Sequence, residues 1–177
     1  RERQTEKETI ATTAMTEAKN STTKAHVIVA LDSSEMSDKV LSWCKSNVFP
    51  FAGKITLLHS YGYSPLPLFP GAGAKYGLSA EGVNEQMRNE AMKKGEDFLK
   101  KAGKTCVDFG FRPDELKLLI DKPAASTKKA IHDYIAKAKP GILVVGSRGM
   151  GTIGRTFLGS TSDYLMHNCE CTVIVVK

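Results

Sequence analysis

Long apolar runs are missing from this sequence of 177 residues. No stretch approaches the roughly 18 consecutive apolar residues that a membrane-spanning helix needs, so we expect no membrane association. Residues 1–24 also lack the apolar segment that marks a secretory signal peptide. These two absences predict a protein of the cytosol, with the nucleus as the other compartment that the sequence allows.

Cysteines are few, and none of the four forms a Cys-x-x-Cys pair. Cys169 and Cys171 have the spacing of a poor half of a zinc site, and no second half accompanies them. In a cytosolic chain such cysteines are usually reduced and partly buried. We therefore expect neither a disulfide framework nor a bound metal ion.

Extended basic segments are absent too, although the net charge is +6. The longest basic clusters are three lysine pairs, at 93–94, 100–101 and 128–129. Lysine pairs on helices usually form solvated surfaces, and no aromatic residues alternate with these pairs to stack on bases. The sequence therefore does not indicate a nucleic-acid partner.

Large apolar residues are scarce in residues 1–24, which are rich in Thr, Glu and Lys. A segment of this kind buries too little surface to offset the entropy lost on ordering, so we predict a disordered tail. Residues 25–177 are numerous enough to form one domain with a proper core.

The rest of the sequence contains a regular alternation of strands and helices. Strands are predicted at 25–32, 54–60, 115–120, 142–145 and 172–176. Helices are predicted from Met36 to Val48, from Val83 as far as a terminal cap at Gly110, from Ser126 to Lys139 and from Ser160 to Asn168. Gly103 disfavours the continuation of the second helix to Gly110, so an earlier end stays open. This order indicates an α/β domain with a parallel sheet and helices on both faces. Ligands of such sheets bind beyond the carboxyl ends of the strands, where the loops after Leu31, His59 and Val145 can meet.

A long segment at 62–82 interrupts this alternation and contains three prolines and five glycines. Long loops in compact domains are often functional. Its apolar residues argue against a purely solvated linker. We expect it to fold over a site or to contact a protein partner whose identity the sequence does not give.

Five glycines follow the strand at 142–145 within fourteen residues, and they match two nucleotide motifs incompletely. Gly149–Gly154 spells G-x-G-x-x-G, but a dinucleotide site also needs an acidic residue at the end of the next strand, and Glu170 precedes that strand. Gly154–Thr161 nearly spells the phosphate loop, but Ser160 stands where that motif has its lysine. Neither motif is therefore expected to operate here.

A third interpretation fits the segment better, as G-x2-G-x9-G-S with glycines at Gly146, Gly149 and Gly159. A glycine at the end of a strand leaves room for a ligand. The small residues at 159–160 begin a helix, whose free N–H groups and partial positive charge favour an anion. Arg148 and Arg155 are nearby cations that are able to bind phosphate oxygens.

This glycine pattern after the fourth strand, together with V-x-V-A-L-D-S-S-E on the first, resembles the ATP-binding branch of the universal stress protein family. The resemblance extends from about His26 to Val176. It implies a single Rossmann-like domain with five parallel strands in the order 3-2-1-4-5, which usually dimerises. It also implies ATP or AMP as the ligand, with or without Mg²⁺.

The resemblance assigns a role to each matching position. Asp32 corresponds to the acid that meets the ribose, and Ala30 and Ser60 correspond to positions that flank adenine. Ala30 stands where several binders have proline, and Ser60 where many have valine, so the adenine slot is looser or less apolar here. The loop beneath the ribose and phosphates matches Val145, Gly146, Arg148 and Gly149, and the phosphate-binding helix start matches Gly159, Ser160 and Thr161.

Simpler structural roles compete with some of these assignments. Asp32 could be only the N-cap of the first helix, and Ser160 with Asp163 resembles a capping box. His59 at the end of the second strand could be a base, but a histidine in this position more often packs and bonds to the backbone.

Three functions fit the sequence. The first is an adenine-nucleotide-binding regulator of the stress response that acts as a homodimer through the strand at 172–176. The second is a slow ATPase or a phosphoryl- or adenylyl-transferring enzyme, although no lysine of a phosphate loop and no catalytic triad can be assigned. The third is a ligand-free dimerisation module, which the intact glycine pattern disfavours.

Overall fold

The computed structural model of the chain describes residues 24–63, 65, 80–121, 127–147 and 158–177. In chain order, the elements are β1 (Ala25–Leu31), α1 (Met36–Asn47), a 3₁₀ turn (Phe49–Phe51), β2 (Ala52–Gly62), α2 (Ala80–Asp108), β3 (Glu115–Asp121), α3 (Thr127–Ala138), β4 (Ile142–Gly146), α4 (Ser160–Asn168) and β5 (Thr172–Val176). All five predicted strands and four predicted helices are present.

The strands form one parallel sheet in the order β3-β2-β1-β4-β5, as the resemblance implied. The register places Leu31 beside His59 of β2 and Ala30 beside Val145 of β4. The carboxyl ends of β1, β2 and β4 therefore lie next to one another at the centre of one sheet edge.

Helices cover both faces of the sheet, and the middle residues of β1, β2 and β4 are buried on both faces. In β1, Val27, Val29 and Leu31 join the core beneath α1 and α2. Ile28 packs in the core beneath α3 and α4, and Ala30 lies against that core. Because side chains alternate along a strand, a residue of β2 or β4 that lies beside a β1 residue in the register faces the same core as that residue.

Both ends of β2 differ from the sequence prediction. β2 begins at Ala52 rather than at residue 54, because the 3₁₀ turn Phe49–Phe51 delivers the chain directly into the strand. It also continues to Gly62, through pairing with β3 as far as Asp121.

Gly103 does not interrupt α2, which continues to Asp108 and is followed by Gly110 at a φ of 87°. At Gly103 and Gly95 the helix comes close to leucine side chains of β3. A Cβ atom at Gly103 would lie 3.3 Å from the Leu116 side chain, and one at Gly95 would lie 2.5 Å from the Leu118 side chain.

Several predictions fall on residues that the structure does not describe. The tail at 1–24 lies outside the described residues except for Lys24, and most of the segment at 62–82 does too. Within the described ranges, no helix is both long and apolar enough to cross a membrane.

Candidate functional site

A cleft of about 660 Å³ opens at the carboxyl edge of the sheet. Its walls come from the ends of β1, β2 and β4 and from the first turns of α1, α3 and α4. This volume is within the range of small-molecule sites. The cleft brings together every described residue that the sequence assigned to the site: Ala30, Asp32, Ser60, Val145, Gly146, Gly159, Ser160 and Thr161.

Arg148 and Gly149, also assigned to the site, lie outside the described residues, as does Arg155. Among the described residues that line the cleft, Asp32 is the only one with a formal charge at neutral pH. In this part of the chain, attraction for an anion must therefore come from helix termini and hydroxyl groups.

The half-buried Asp32 directly follows β1, and a network of serines holds it in place. Its Oδ1 accepts hydrogen bonds from the backbone N–H of Ser34 at 3.2 Å and from the Ser34 hydroxyl at 2.5 Å. Its own N–H donates to Ser37 Oγ at 3.1 Å. Asp32 is not the N-cap of α1, because the helix begins at Met36 with Glu35 in the cap position.

The first turn of α4 forms the other polar wall of the cleft. Gly159 is the N-cap, with φ −63° and ψ 145°, and no side chain caps the helix. The capping box proposed for Ser160 is therefore wrong, since the N–H of Asp163 donates to the carbonyl of Gly159 at 2.9 Å. Ser160 instead occupies the first helical position, where its side chain is exposed beside the cleft.

Ser162 is a structural member of the site that the sequence analysis missed. Its buried hydroxyl donates to the carbonyl of Gly146 at 2.5 Å. The N–H of Gly159 also donates to the carbonyl of Ser147 at 2.8 Å. These two bonds fix the start of α4 against the end of β4, and no motif in the sequence distinguishes Ser162 from its neighbours.

His59 lines the cleft, packs against neighbouring side chains and bonds to the backbone, as the simpler interpretation expected. It is 3% exposed, and its Nδ1 lies 2.8 Å from the carbonyl oxygen of Leu31. Its ring stands 4.6 Å from the ring of Phe98. Burial lowers the pKa of His59 below its usual value, although the Leu31 carbonyl and Asp32 act in the opposite direction.

The described residues contain no cluster of three or more His, Cys, Asp or Glu side chains that could hold a metal ion. All four cysteines are unpaired. Burial, and then the neighbouring Cys106, raise the pKa of Cys44 to about 12, and burial raises the pKa of Cys106 to about 11. These two thiols are therefore poor nucleophiles at neutral pH.

Known proteins with similar sequences belong to one family. The model of the universal stress protein family matches residues 25–177. A universal stress protein of Mycolicibacterium smegmatis is 30% identical over 156 residues, an alignment that covers 88% of this chain and 49% of that relative. The chain thus spans about half the length of this curated relative.

Solved structures share the fold at low sequence identity. The universal stress protein UspA of Lactobacillus plantarum has a TM-score of 0.65 at 18% identity, covering 87% of this chain and 98% of that one. A universal stress protein of Archaeoglobus fulgidus, solved in complex with dAMP, has a TM-score of 0.52 at 18% identity, covering 85% of this chain and 96% of that one.

Proposed function

This chain belongs to the universal stress protein family, and we propose that it binds an adenine nucleotide, ATP or AMP, in the cleft at the carboxyl edge of its sheet. The observation that carries the proposal is the convergence of the eight assigned residues on one cleft. The dAMP complex of the Archaeoglobus fulgidus protein supports the ligand class.

The base would occupy the side of the cleft that faces α3 and α4. Ala30 and Val145 contribute apolar surface there, and Ile131 and Leu165 extend it. Ser60 lies on the same face, because residues of β2 alternate as those of β1 do. A largely apolar slot with one hydroxyl suits a flat heteroaromatic ring.

The ribose would lie at Asp32, whose carboxylate is able to accept hydrogen bonds from both ribose hydroxyls. Within the described part of the chain, the hydrogen bonds from Ser34 fall on Oδ1, which leaves Oδ2 for the sugar. A hydrogen bond to a charged group contributes about 1.5–3 kcal/mol.

The phosphate would lie at the first turn of α4. The N–H groups of Ser160, Thr161 and Ser162 have no partner inside the helix, because they belong to its first turn. Such groups, together with the helix dipole, favour an anion. Mg²⁺, if it accompanies ATP, would be held mainly by phosphate oxygens and water.

Binding rather than catalysis is the proposed activity, and the protein would act as a regulator in the stress response. His59 lines the cleft, but its Nδ1 is engaged with the backbone and its Nε2, the nitrogen that could accept a proton, is buried, so it is not placed as a general base. A bound nucleotide would alter the surface offered to a protein partner, with the segment at 62–82 as the proposed contact.

Mass spectrometry of the ligand released from purified protein tests the ligand class. We expect AMP, ADP or ATP to be released on denaturation. A stoichiometric ligand of another chemical class would contradict the proposal.

We also propose a homodimer through β5, the last strand of the sheet. The carbonyl of Val176 accepts from the N–H of Ser147 at 2.7 Å, so the main-chain groups of Val176 face β4. Those of Val175, one residue earlier, face the open edge. An apolar edge strand of this kind favours pairing with its symmetry mate.

Val175→Pro is expected to give a monomer, because proline removes an edge N–H without breaking the bonds to β4. Val175→Thr keeps that N–H and the branched shape, and should remain dimeric. Light scattering at tens of micromolar should give twice the chain mass for the wild type. A wild-type monomer at that concentration would eliminate the β5 dimer.

A further inference from the structure

We propose that His59 is a positioning residue for nucleotide binding: through its hydrogen bond to the Leu31 carbonyl it fixes the peptide unit that carries Asp32. This inference rests on the proposed function, because it concerns how the ribose-binding carboxylate is held. His59 lines the cleft, but its Nδ1 is engaged with the backbone and its Nε2 is buried, so it would exchange no hydrogen bond with the ligand.

The evidence begins with one planar peptide unit at the end of β1. The carbonyl of Leu31 and the N–H of Asp32 belong to the same rigid plane. The carbonyl lies 2.8 Å from Nδ1 of His59, and the N–H donates to Ser37 Oγ at 3.1 Å. Side chains from β2 and α1 therefore hold both ends of this peptide, at the point where a strand would otherwise fray into a loop.

The tautomer of His59 follows from this contact. A carbonyl oxygen only accepts, so Nδ1 must carry the proton, and Nε2 of the neutral ring is a bare acceptor. Nε2 is buried and has no hydrogen-bond partner among the residues described. An apolar side chain of similar shape would avoid burying a bare nitrogen. The property that histidine adds at this position is therefore its Nδ1–H donor.

His59 acts from the opposite face of the sheet to the proposed base slot. Leu31, its neighbour in the register, belongs to the core beneath α1 and α2, and Phe98 of α2 packs 4.6 Å from the imidazole ring. Tyr61 stands 6.0 Å away on the same strand. Ala30 lies against the other core. The Nδ1–H of His59 therefore points at the Leu31 carbonyl and not into the base slot, and we expect its effect on a bound nucleotide to pass through Asp32.

Three variants separate the donor from the rest of the side chain. His59→Asn keeps an N–H donor at the same number of bonds from Cα as Nδ1. His59→Gln moves the donor one bond further out, and His59→Leu removes it. We expect His59→Asn to bind AMP within about threefold of the wild type, and the other two to bind about tenfold more weakly, as for the loss of a hydrogen bond that orients a charged group.

A nucleotide without sugar hydroxyls distinguishes a positioning role of His59 from a general loss of structure. With 2′,3′-dideoxy-AMP, which offers Asp32 no sugar hydroxyl, all four proteins should bind with similar affinity. A merely structural role would weaken both ligands together. Thermal unfolding of each variant confirms the fold, and if His59→Leu fails to fold, the Asn and Gln variants still decide the question.

The pH dependence provides an independent readout. Protonation of His59 would place an N–H at Nε2, where no described group accepts it, and burial already favours the neutral ring. The facing groups are the Leu31 carbonyl and Asp32, which favour the proton, and the rings of Phe98 and Tyr61. Because burial keeps the pKa of His59 below the usual histidine value of about 6.5, the ring should stay neutral near pH 7. Adenosine affinity of the wild type should therefore stay level near neutral pH and fall only at a pH below that usual value, whereas that of His59→Asn should not show this fall.

The outcomes separate this inference from the proposed function. If the folded wild type binds no AMP at millimolar concentration, both are wrong. If the wild type binds and His59→Leu binds equally well, or His59→Asn is as weak as His59→Leu, only the positioning role is wrong.

Discussion

Gly159→Asp is expected to weaken AMP binding by at least about a hundredfold while making the protein slightly more stable. Gly159 is the N-cap of α4, and its backbone is already in the extended region that a capping aspartate adopts. An aspartate there would bond to the N–H groups of the first turn, which the phosphate is proposed to use, and would repel the phosphate as well. Each lost bond to a charged group reduces affinity about tenfold to a hundredfold.

The variant should therefore be more stable than the wild type while binding AMP more weakly, so weaker binding could not be attributed to a loss of folding. An aspartate is a better N-cap than glycine by a few tenths of a kcal/mol, and its charge favours the helix dipole by about 0.3–1 kcal/mol. Gly159→Asn is the matched control, since it caps equally well without the charge and should lose less affinity. If Gly159→Asp binds AMP as tightly as the wild type, the phosphate does not lie at α4.

Asp32→Asn is expected to weaken AMP binding by about tenfold to a hundredfold, because a neutral amide replaces the charged acceptor of the ribose hydroxyls. Asparagine keeps an oxygen for the bonds from Ser34, so the turn before α1 should survive. Asp32→Ala would remove that oxygen as well, and would mix a folding defect with a binding defect.

Nucleotides that differ in the sugar show whether Asp32 meets the ribose. The penalty of Asp32→Asn should be smaller for dAMP than for AMP, and should nearly vanish for 2′,3′-dideoxy-AMP, as in a double-mutant cycle between residue and hydroxyl. Calorimetric titration of the two proteins with the three ligands gives these numbers. Equal penalties for all three ligands would mean that Asp32 acts elsewhere.

The sequence predicted the sheet and the edge at which the cleft lies, because both depend on strong local signals. Almost continuous apolar strands between amphipathic helices indicate a parallel sheet, and the loops after β1, β2 and β4 then meet at one edge. The glycines at 146 and 159 were recognisable through their spacing.

The missed details depend on contacts between distant residues. Ser162 reaches the carbonyl of Gly146, sixteen positions earlier, and a serine in that position has no local signature. The N-cap was assigned one residue late, since Gly159 caps α4 through its backbone and Ser160 looked like a better cap. The proximity of Gly103 to Leu116 likewise depends on the packing of α2 against β3.

Calorimetric titration of the wild-type protein with AMP tests the central claim most directly. The proposed function predicts saturable binding at one site per chain, and inorganic phosphate at the same concentration should bind far more weakly, because it lacks the adenosine contacts. No heat of binding at millimolar AMP, from a protein shown to be folded and free of bound nucleotide, would contradict the claim.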